Sequence, residues 1–211
     1  MGLYINKIVC ASNENNVLTD FFNTYTYDKN RDFYLTNSPA MDILISSNLE
    51  RLLYIISGNN ETLVSKLMAD LKETGKFTLP KEYHEKLDDF LSYSVTKDET
   101  VKAIENCYKK YNYLIDPHTA VGYDAYENVK DKLDGKTVVV STASPFKFVE
   151  TVNEVFNYDD VDLKLIKKIA ANTNLEVPSI LSDIYNFEYE KVIWKKEEME
   201  TNLRKLIGEI D

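Results

Sequence analysis

Thr142 carries the side chain that is best placed for ligand binding in this 211-residue chain. It directly follows residues 137–141, TVVVS, whose β-branched side chains predict a buried parallel strand, and a helix is predicted to begin at Pro145. Open α/β sheets bind ligands at the carboxyl ends of their strands, so this hydroxyl would face a bound molecule. The competing interpretation is that Thr142 only caps the following helix.

His118 is the second candidate, because Asp116 and Pro117 mark the start of a helix just before it. An aspartate there accepts hydrogen bonds from free amides, and proline at the first helical position sacrifices none. The positive end of the helix dipole disfavours imidazolium, which predicts a neutral ring. Two interpretations stay open: a ring that faces a cleft, or a structural contact of His118 with Asp116 and Thr119.

Strand and helix patterns along the chain predict an α/β fold with a partial parallel sheet. A buried strand is predicted at 3–11, and a mostly helical lobe is predicted at about 48–115. Asn13, Asn15 and Asn16 are interpreted as turn and cap residues. A first helix is predicted to end near residue 23, and two others are predicted to stop at Gly58 and Gly75. Further helices are predicted at about 81–91, 98–111, 117–132, 162–171 and 194–208. A polar loop is predicted between the last two.

Composition excludes several classes of function. The formal charge of -10 and the presence of only three arginines disfavour a nucleic-acid partner. Cys10 and Cys107 lack metal-ligand spacing and are predicted to be buried free thiols, as suits a reducing cytoplasm. No apolar run approaches the roughly 18 residues of a membrane span. We therefore expect a soluble cytoplasmic protein without a metal site or a membrane partner.

Four segments together resemble threonine synthase. They are CASNENNVL at 10–18, MDILISSNLERLL at 41–53, DPHTAVG at 116–122 and STASPFKF at 141–148. Each is weak alone, but they follow the order and approximate spacing of that family over nearly the whole chain. The resemblance implies that residues 1–211 form the C-terminal part of a fold type II enzyme that uses pyridoxal phosphate (PLP).

The family converts O-phosphohomoserine and water into threonine and phosphate, in threonine biosynthesis. The resemblance implies that the Thr142 hydroxyl hydrogen-bonds the pyridine nitrogen of PLP, and that His118 and Ser141 line the cleft. A neutral hydroxyl partner leaves that nitrogen largely unprotonated, which moderates the ring as an electron sink.

Other parts of the family's site have no counterpart in this sequence. These are the lysine that holds PLP covalently, the glycine-rich phosphate loop, and the Asn, Ser and Arg residues that grip the substrate phosphate. The six glycines are scattered, and Lys147 falls at a non-catalytic position of the family pattern.

No catalytic residue is therefore assigned. We expect the chain alone to be inactive and not to bind PLP, and to associate with an N-terminal half or with itself. The alternative is a non-catalytic fragment, or half of a split enzyme, that acts as an interaction module.

Overall fold

A computed structural model describes residues 4–188 and 192–209 of the chain. It divides into two compact units, with the boundary between Leu175 and Glu176. None of the helices in the described residues is both long and apolar enough to cross a bilayer.

Two short sheets organise the first unit. Strand β1 (Ile8–Ser12) pairs in parallel with β4 (Phe90–Ser94), with Ile8 opposite Phe90. Strand β2 (Thr26–Asp28) pairs antiparallel with β3 (Lys76–Thr78). The β1–β4 pair confirms the predicted partial parallel sheet. Its carboxyl edge is formed by Ser12 and Ser94, because parallel strands end on the same side.

Helices make up most of the first unit. They are α1 (Val17–Thr24), α2 (Ser47–Ile56), α3 (Glu61–Thr74), α4 (Lys97–Tyr111), α5 (Pro117–Val129), α6 (Val149–Phe156) and α7 (Asp162–Thr173). The larger core cluster buries apolar side chains from α1, α2 and α3 together with Tyr27 and Phe77. A smaller cluster, Val95, Val121 and Ala125, packs α5 onto the β1–β4 sheet. The apolar periodicity therefore predicted most of these helices correctly.

Two of the predicted helices and strands were wrong. Residues 81–91 do not form an α-helix: Lys81–Leu87 is a 3₁₀-helix, and Phe90 begins β4. Residues 137–141 do not form a strand, and Val138 and Val140 are 83% and 73% exposed. The physical reason is that a strand needs a neighbour to pair with, and none lies beside this segment among the described residues.

The second unit consists of short helices. It contains α8 (Ser179–Asn186), which lies where the sequence predicted only a polar loop, and α9 (Met199–Leu206). A 3₁₀-turn, Lys196–Glu198, precedes α9. This unit therefore confirms the predicted helix at about 194–208.

The lobe predicted at about 48–115 contains α2, α3 and α4 but also β3 and β4. Whether it behaves as a separate lobe stays a prediction.

Gly75 ends α3 in the left-handed region, at φ 80°, against the side chain of Asn30. A β-carbon there would clash with Asn30 Oδ1, and the amide group of Asn30 donates to Thr74 O at 2.9 Å. We expect Gly75→Ala to lower the free energy of unfolding by about 2 kcal/mol, from left-handed strain plus the displaced amide.

Gly58 provides the matched control for this substitution. It also has a positive φ, 70°, but nothing lies within 4 Å of a β-carbon built on it. Gly58→Ala should therefore cost about 1 kcal/mol, from the backbone strain alone. Urea unfolding of both variants measures the difference in the free energy of unfolding. Equal losses would show that the Asn30 side chain moves aside at no cost.

Candidate functional site

The candidate site lies at the carboxyl edge of the β1–β4 sheet. The Val95 amide donates to Ser12 O at 2.9 Å, which holds the two strand ends together. Asn13 follows β1 directly, and α4 begins after β4 with a capping box formed by Thr96 and Glu99. This edge is where open α/β sheets place their ligands.

A buried polar network extends from this edge into the loop after β2. Asn13 and Asn15 are each only 2% exposed. The Asn13 amide group donates to Asp42 Oδ1 at 2.7 Å and to Thr36 Oγ1 at 2.8 Å. Asn15 donates to Tyr34 O at 2.8 Å and accepts from the Tyr34 amide at 2.9 Å. These side chains hold the loop against the sheet edge.

The interpretation of the asparagines as turn and cap residues was right only in part. Asn13 Oδ1 accepts from the Asn15 amide at 2.9 Å, which is a local turn contact. Asn16 precedes α1 but makes no side-chain cap bond; its Oδ1 accepts from Arg31 at 2.9 Å instead. Partners distant in sequence, such as Asp42, decide these roles, and no local pattern could have identified them.

His118 links this loop to the start of α5. Its Nε2 accepts from the Ala40 amide at 3.0 Å, and its Nδ1 lies 2.9 Å from Asp116 Oδ1. With Nε2 as the acceptor, Nδ1 carries the proton and donates it to the carboxylate. The Phe148 ring lies 4.4 Å from the imidazole, centroid to centroid. This geometry is the structural contact considered above; a role of the ring in lining a cleft stays a prediction.

Asp116 is the hub of the α5 N-terminus and is fully buried. Its Oδ1 accepts from the His118 amide at 2.9 Å, and its Oδ2 accepts from the Thr119 hydroxyl. The Thr119 hydroxyl also lies 3.2 Å from the Ser141 hydroxyl. His118 and Ser141, both predicted site residues, therefore belong to one hydrogen-bonded group.

Thr142 follows Ser141 and is exposed, and no described side chain or backbone group hydrogen-bonds to it. The cap of the next helical turn is Ser144, whose Oγ accepts from the Phe146 amide at 3.3 Å. The Thr142 hydroxyl is thus not used as a helix cap. Lys147 is also exposed, with its ammonium 5.5 Å from the Phe148 ring centroid.

Local contacts shift the pKa values of several ionisable groups around this edge of the sheet. Hydrogen bonds from the Thr96 amide and hydroxyl lower the pKa of Glu99. Burial, together with the charges of Glu99 and Glu127, raises the pKa of Asp124 on α5. Cys107 is buried as predicted, whereas Cys10 is only half-buried; burial raises the pKa of the free Cys10 thiol to about 11. In the described residues, no cluster of His, Cys, Asp and Glu could hold a metal ion.

Comparison with known proteins gives a consistent result. A family model described as "Threonine synthase, C-terminal" matches residues 119–200, a range that includes Ser141 and Thr142. Threonine synthase from Saccharomyces cerevisiae is 38% identical over 174 residues, covering 74% of this chain and 34% of the relative. The human protein "Threonine synthase-like 1" is 37% identical over 164 residues, covering 77% of this chain and 22% of the relative.

Solved structures agree with the sequence matches. The crystal structure of yeast threonine synthase aligns with a TM-score of 0.82 at 29% identity, over 100% of this chain and 44% of that one. PLP-bound threonine synthase from Brucella melitensis aligns with a TM-score of 0.80 at 30% identity, over 97% of this chain and 41% of that one. The chain thus spans less than half the length of each of these relatives.

The solved structures also confirm the predicted fold class, the C-terminal part of a fold type II enzyme. Sequence and fold together place the chain in the threonine synthase family, as the counterpart of the C-terminal part of its members.

Proposed function

We propose that this chain forms the C-terminal part of a PLP-dependent threonine synthase, a lyase-type enzyme of threonine biosynthesis that acts on O-phosphohomoserine in the cytoplasm. The observation that carries the proposal is the alignment of the full chain with yeast threonine synthase, at a TM-score of 0.82. The free thiols Cys10 and Cys107 support the cytoplasmic location.

Of the groups that bind PLP, the described residues of this chain can supply the partner of the pyridine nitrogen. The exposed Thr142 hydroxyl has no described partner and can donate to the pyridine nitrogen. The six glycines are scattered, with no two closer than 13 residues, so the sequence contains no glycine cluster of the kind that presents successive amides to a phosphate. We infer that the phosphate loop and the reactive lysine are supplied by the part of the enzyme that this chain does not cover.

PLP, when bound, supplies an electron sink for bond cleavage next to the amino acid's α-carbon. The contribution of this chain is to hold a neutral hydroxyl at a fixed place. Asp116 fixes Thr119, Thr119 contacts Ser141, and Ser141 immediately precedes Thr142. A neutral donor at the ring nitrogen, unlike a carboxylate, does not favour protonation of that nitrogen, and so moderates the electron sink.

The loop network has a positioning role in this proposal. Asn13 and Asp42 hold the loop, and the loop amide of Ala40 holds His118 in one tautomer. This hydrogen-bond network therefore connects the end of β1, the start of α5 and the residue pair Ser141–Thr142. Such rigid support is what a site needs in order to keep its contacting group within about 0.5 Å of the productive position.

Retention of PLP tests the proposal. The chain alone, mixed with PLP and dialysed, should keep no stoichiometric visible absorption band. Mixed with the remainder of yeast threonine synthase, meaning the part that this chain does not match, it should form a complex that keeps one PLP per pair. Retention by the chain alone, lost on Lys147→Ala, would show that the lysine assignment is wrong, and a stable complex without PLP would contradict the proposed function.

A further inference from the structure

A cavity lies between α4 and α5, and none of the residues assigned to the cofactor site lines it. Its volume is about 430 Å³, which is within the range of small-molecule sites. Besides the buried Ala103, its lining side chains are polar or charged: Asn106, Lys109 and Lys110 from α4, and Tyr123, Asp124 and Glu127 from α5. On each helix these residues recur after three or four positions and therefore share one face. This α4–α5 cavity carries charges of both signs.

Two of the four charged side chains that line the α4–α5 cavity already have a counter-charge. These pairs are formed with neighbours in sequence, Lys109 with Glu105 at 2.6 Å and Glu127 with Lys130 at 2.8 Å. The other two, Lys110 and Asp124, form no ion pair in the part of the chain that the structure describes. One positive and one negative group therefore line the same cavity without a counter-charge.

Asp124 is the group that a bound cation would contact. The side chain is half-buried, and burial together with the charges of Glu99 and Glu127 raises its pKa. Its Oδ2 accepts from the Asn128 amide group at 3.1 Å, a contact that brings no charge. A positive group beside Asp124 would offset the repulsion from the two glutamates. A single carboxylate suits an organic ammonium better than a metal ion, because a metal ion needs several oxygen ligands.

Lys110 and Asn106 are the groups that a bound anion would contact. Lys110 is exposed, and its ammonium lies 4.9 Å from the ring centroid of Tyr111. Asn106 is exposed on the preceding turn of α4, and its side chain forms no hydrogen bond with any described residue. An ammonium and an amide group both donate hydrogen bonds, so together they suit a carboxylate.

We propose that the α4–α5 cavity binds a small zwitterionic amino acid, whose ammonium contacts Asp124 and whose carboxylate contacts Lys110 and Asn106. A ligand of this class supplies a counter-charge to both unpaired groups at once, whereas a ligand with one charge leaves the other group unpaired. The site is additional to the cofactor site. It stands whether or not the proposed function holds, because this chain contains all of its residues.

An NMR titration of the isotope-labelled chain with L-threonine tests the site. L-Threonine should bind with a dissociation constant of about 1 mM, as expected for a ligand of so few atoms, and should shift the amide signals of residues 103–110 and 123–127. Two analogues each keep one of its charges: β-hydroxybutyrate lacks the ammonium, and isopropanolamine lacks the carboxylate. Each analogue should bind about 10-fold or more weaker, because it makes only one of the two charged contacts.

Substitutions of the two unpaired charges supply a second test. Asp124→Asn and Lys110→Gln should each weaken the binding of L-threonine about 10-fold, because each removes one counter-charge of the zwitterion. Asp134→Asn is the matched control, since it removes the same charge as Asp124→Asn from an exposed aspartate that does not line the cavity. It should change the dissociation constant less than about twofold. Thermal melting of each variant confirms that it is folded.

Several results would overturn the zwitterion site. One is the absence of any shift of these amide signals at about 20 mM L-threonine, far above the expected dissociation constant. Unchanged binding by a folded Asp124→Asn or Lys110→Gln variant would do the same. Binding of either single-charge analogue as tight as that of L-threonine would identify a simple ion site instead and overturn the proposal as well.

Discussion

In the complex with the remainder of yeast threonine synthase, Thr142→Ala should lower kcat/KM for O-phosphohomoserine about 10- to 1000-fold. The reason is the loss of a hydrogen bond to the cofactor ring, which corresponds to about 1.5–4 kcal/mol at the transition state. Thr142 is exposed in this chain and makes no hydrogen bond within the described residues, so the stability of the free chain should not change. Steady-state phosphate release measures the effect.

Two companion variants separate a cofactor contact from a structural role of this turn. Thr142→Ser keeps the hydroxyl and should have a much smaller effect on kcat/KM. Ser144→Ala removes the residue that does cap the next turn, and should cost about 1 kcal/mol of stability with little change in turnover. Normal turnover by Thr142→Ala in a complex that binds PLP would show that the residue assignment is wrong while the family assignment stands.

Asp116→Ala should lower the free energy of unfolding of the chain by about 3 kcal/mol, because it leaves buried donors without their acceptor. Asp116 is fully buried and accepts from the amide and ring of His118 and from the hydroxyl of Thr119. Asp116→Asn keeps one acceptor oxygen and should cost less. Urea unfolding of the isolated chain measures both.

Thr96→Ala is the matched control for Asp116→Ala, because it also removes the side chain that caps a helix. Thr96 is exposed and caps α4, and its hydroxyl and amide donate to the half-buried Glu99 rather than to a fully buried group. Its loss should cost about 1 kcal/mol, the usual value of a helix cap. If Asp116→Ala cost no more than Thr96→Ala, the buried Asp116 group would not be the hub that joins α5 to the loop and to Ser141.

Local sequence signals correctly predicted those helix starts and ends that are set by residues within the helix or next to it. Asp116 and Pro117 predicted the start of α5, Ser144 and Pro145 predicted the next helical turn, and Gly75 predicted the end of α3. Each of these signals acts through contacts within a few residues. The apolar run at 3–11 likewise predicted a strand, which lies at Ile8–Ser12, but the parallel strand had been predicted at 137–141.

Long-range pairing was not predictable in the same way. The first two residues of β4 were assigned to the end of a helix at about 81–91, and the rest of the strand was not predicted. Its partner β1 lies about 80 residues away in sequence, and no local pattern reports that pairing. Residues 137–141 show the reverse case, since their composition is that of a strand while no partner lies beside them in the described chain. Within the candidate site, the bond from Ala40 to His118 joins residues 78 positions apart, which one sequence cannot reveal.

The central claim is tested most directly by threonine formation from O-phosphohomoserine. The chain, the remainder of yeast threonine synthase, and a mixture of the two should each be supplied with PLP and substrate, and threonine and phosphate measured. The account predicts equal amounts of both products from the mixture and neither from either part alone. A stable, PLP-retaining mixture that forms no threonine, or threonine formed by this chain alone, would contradict it.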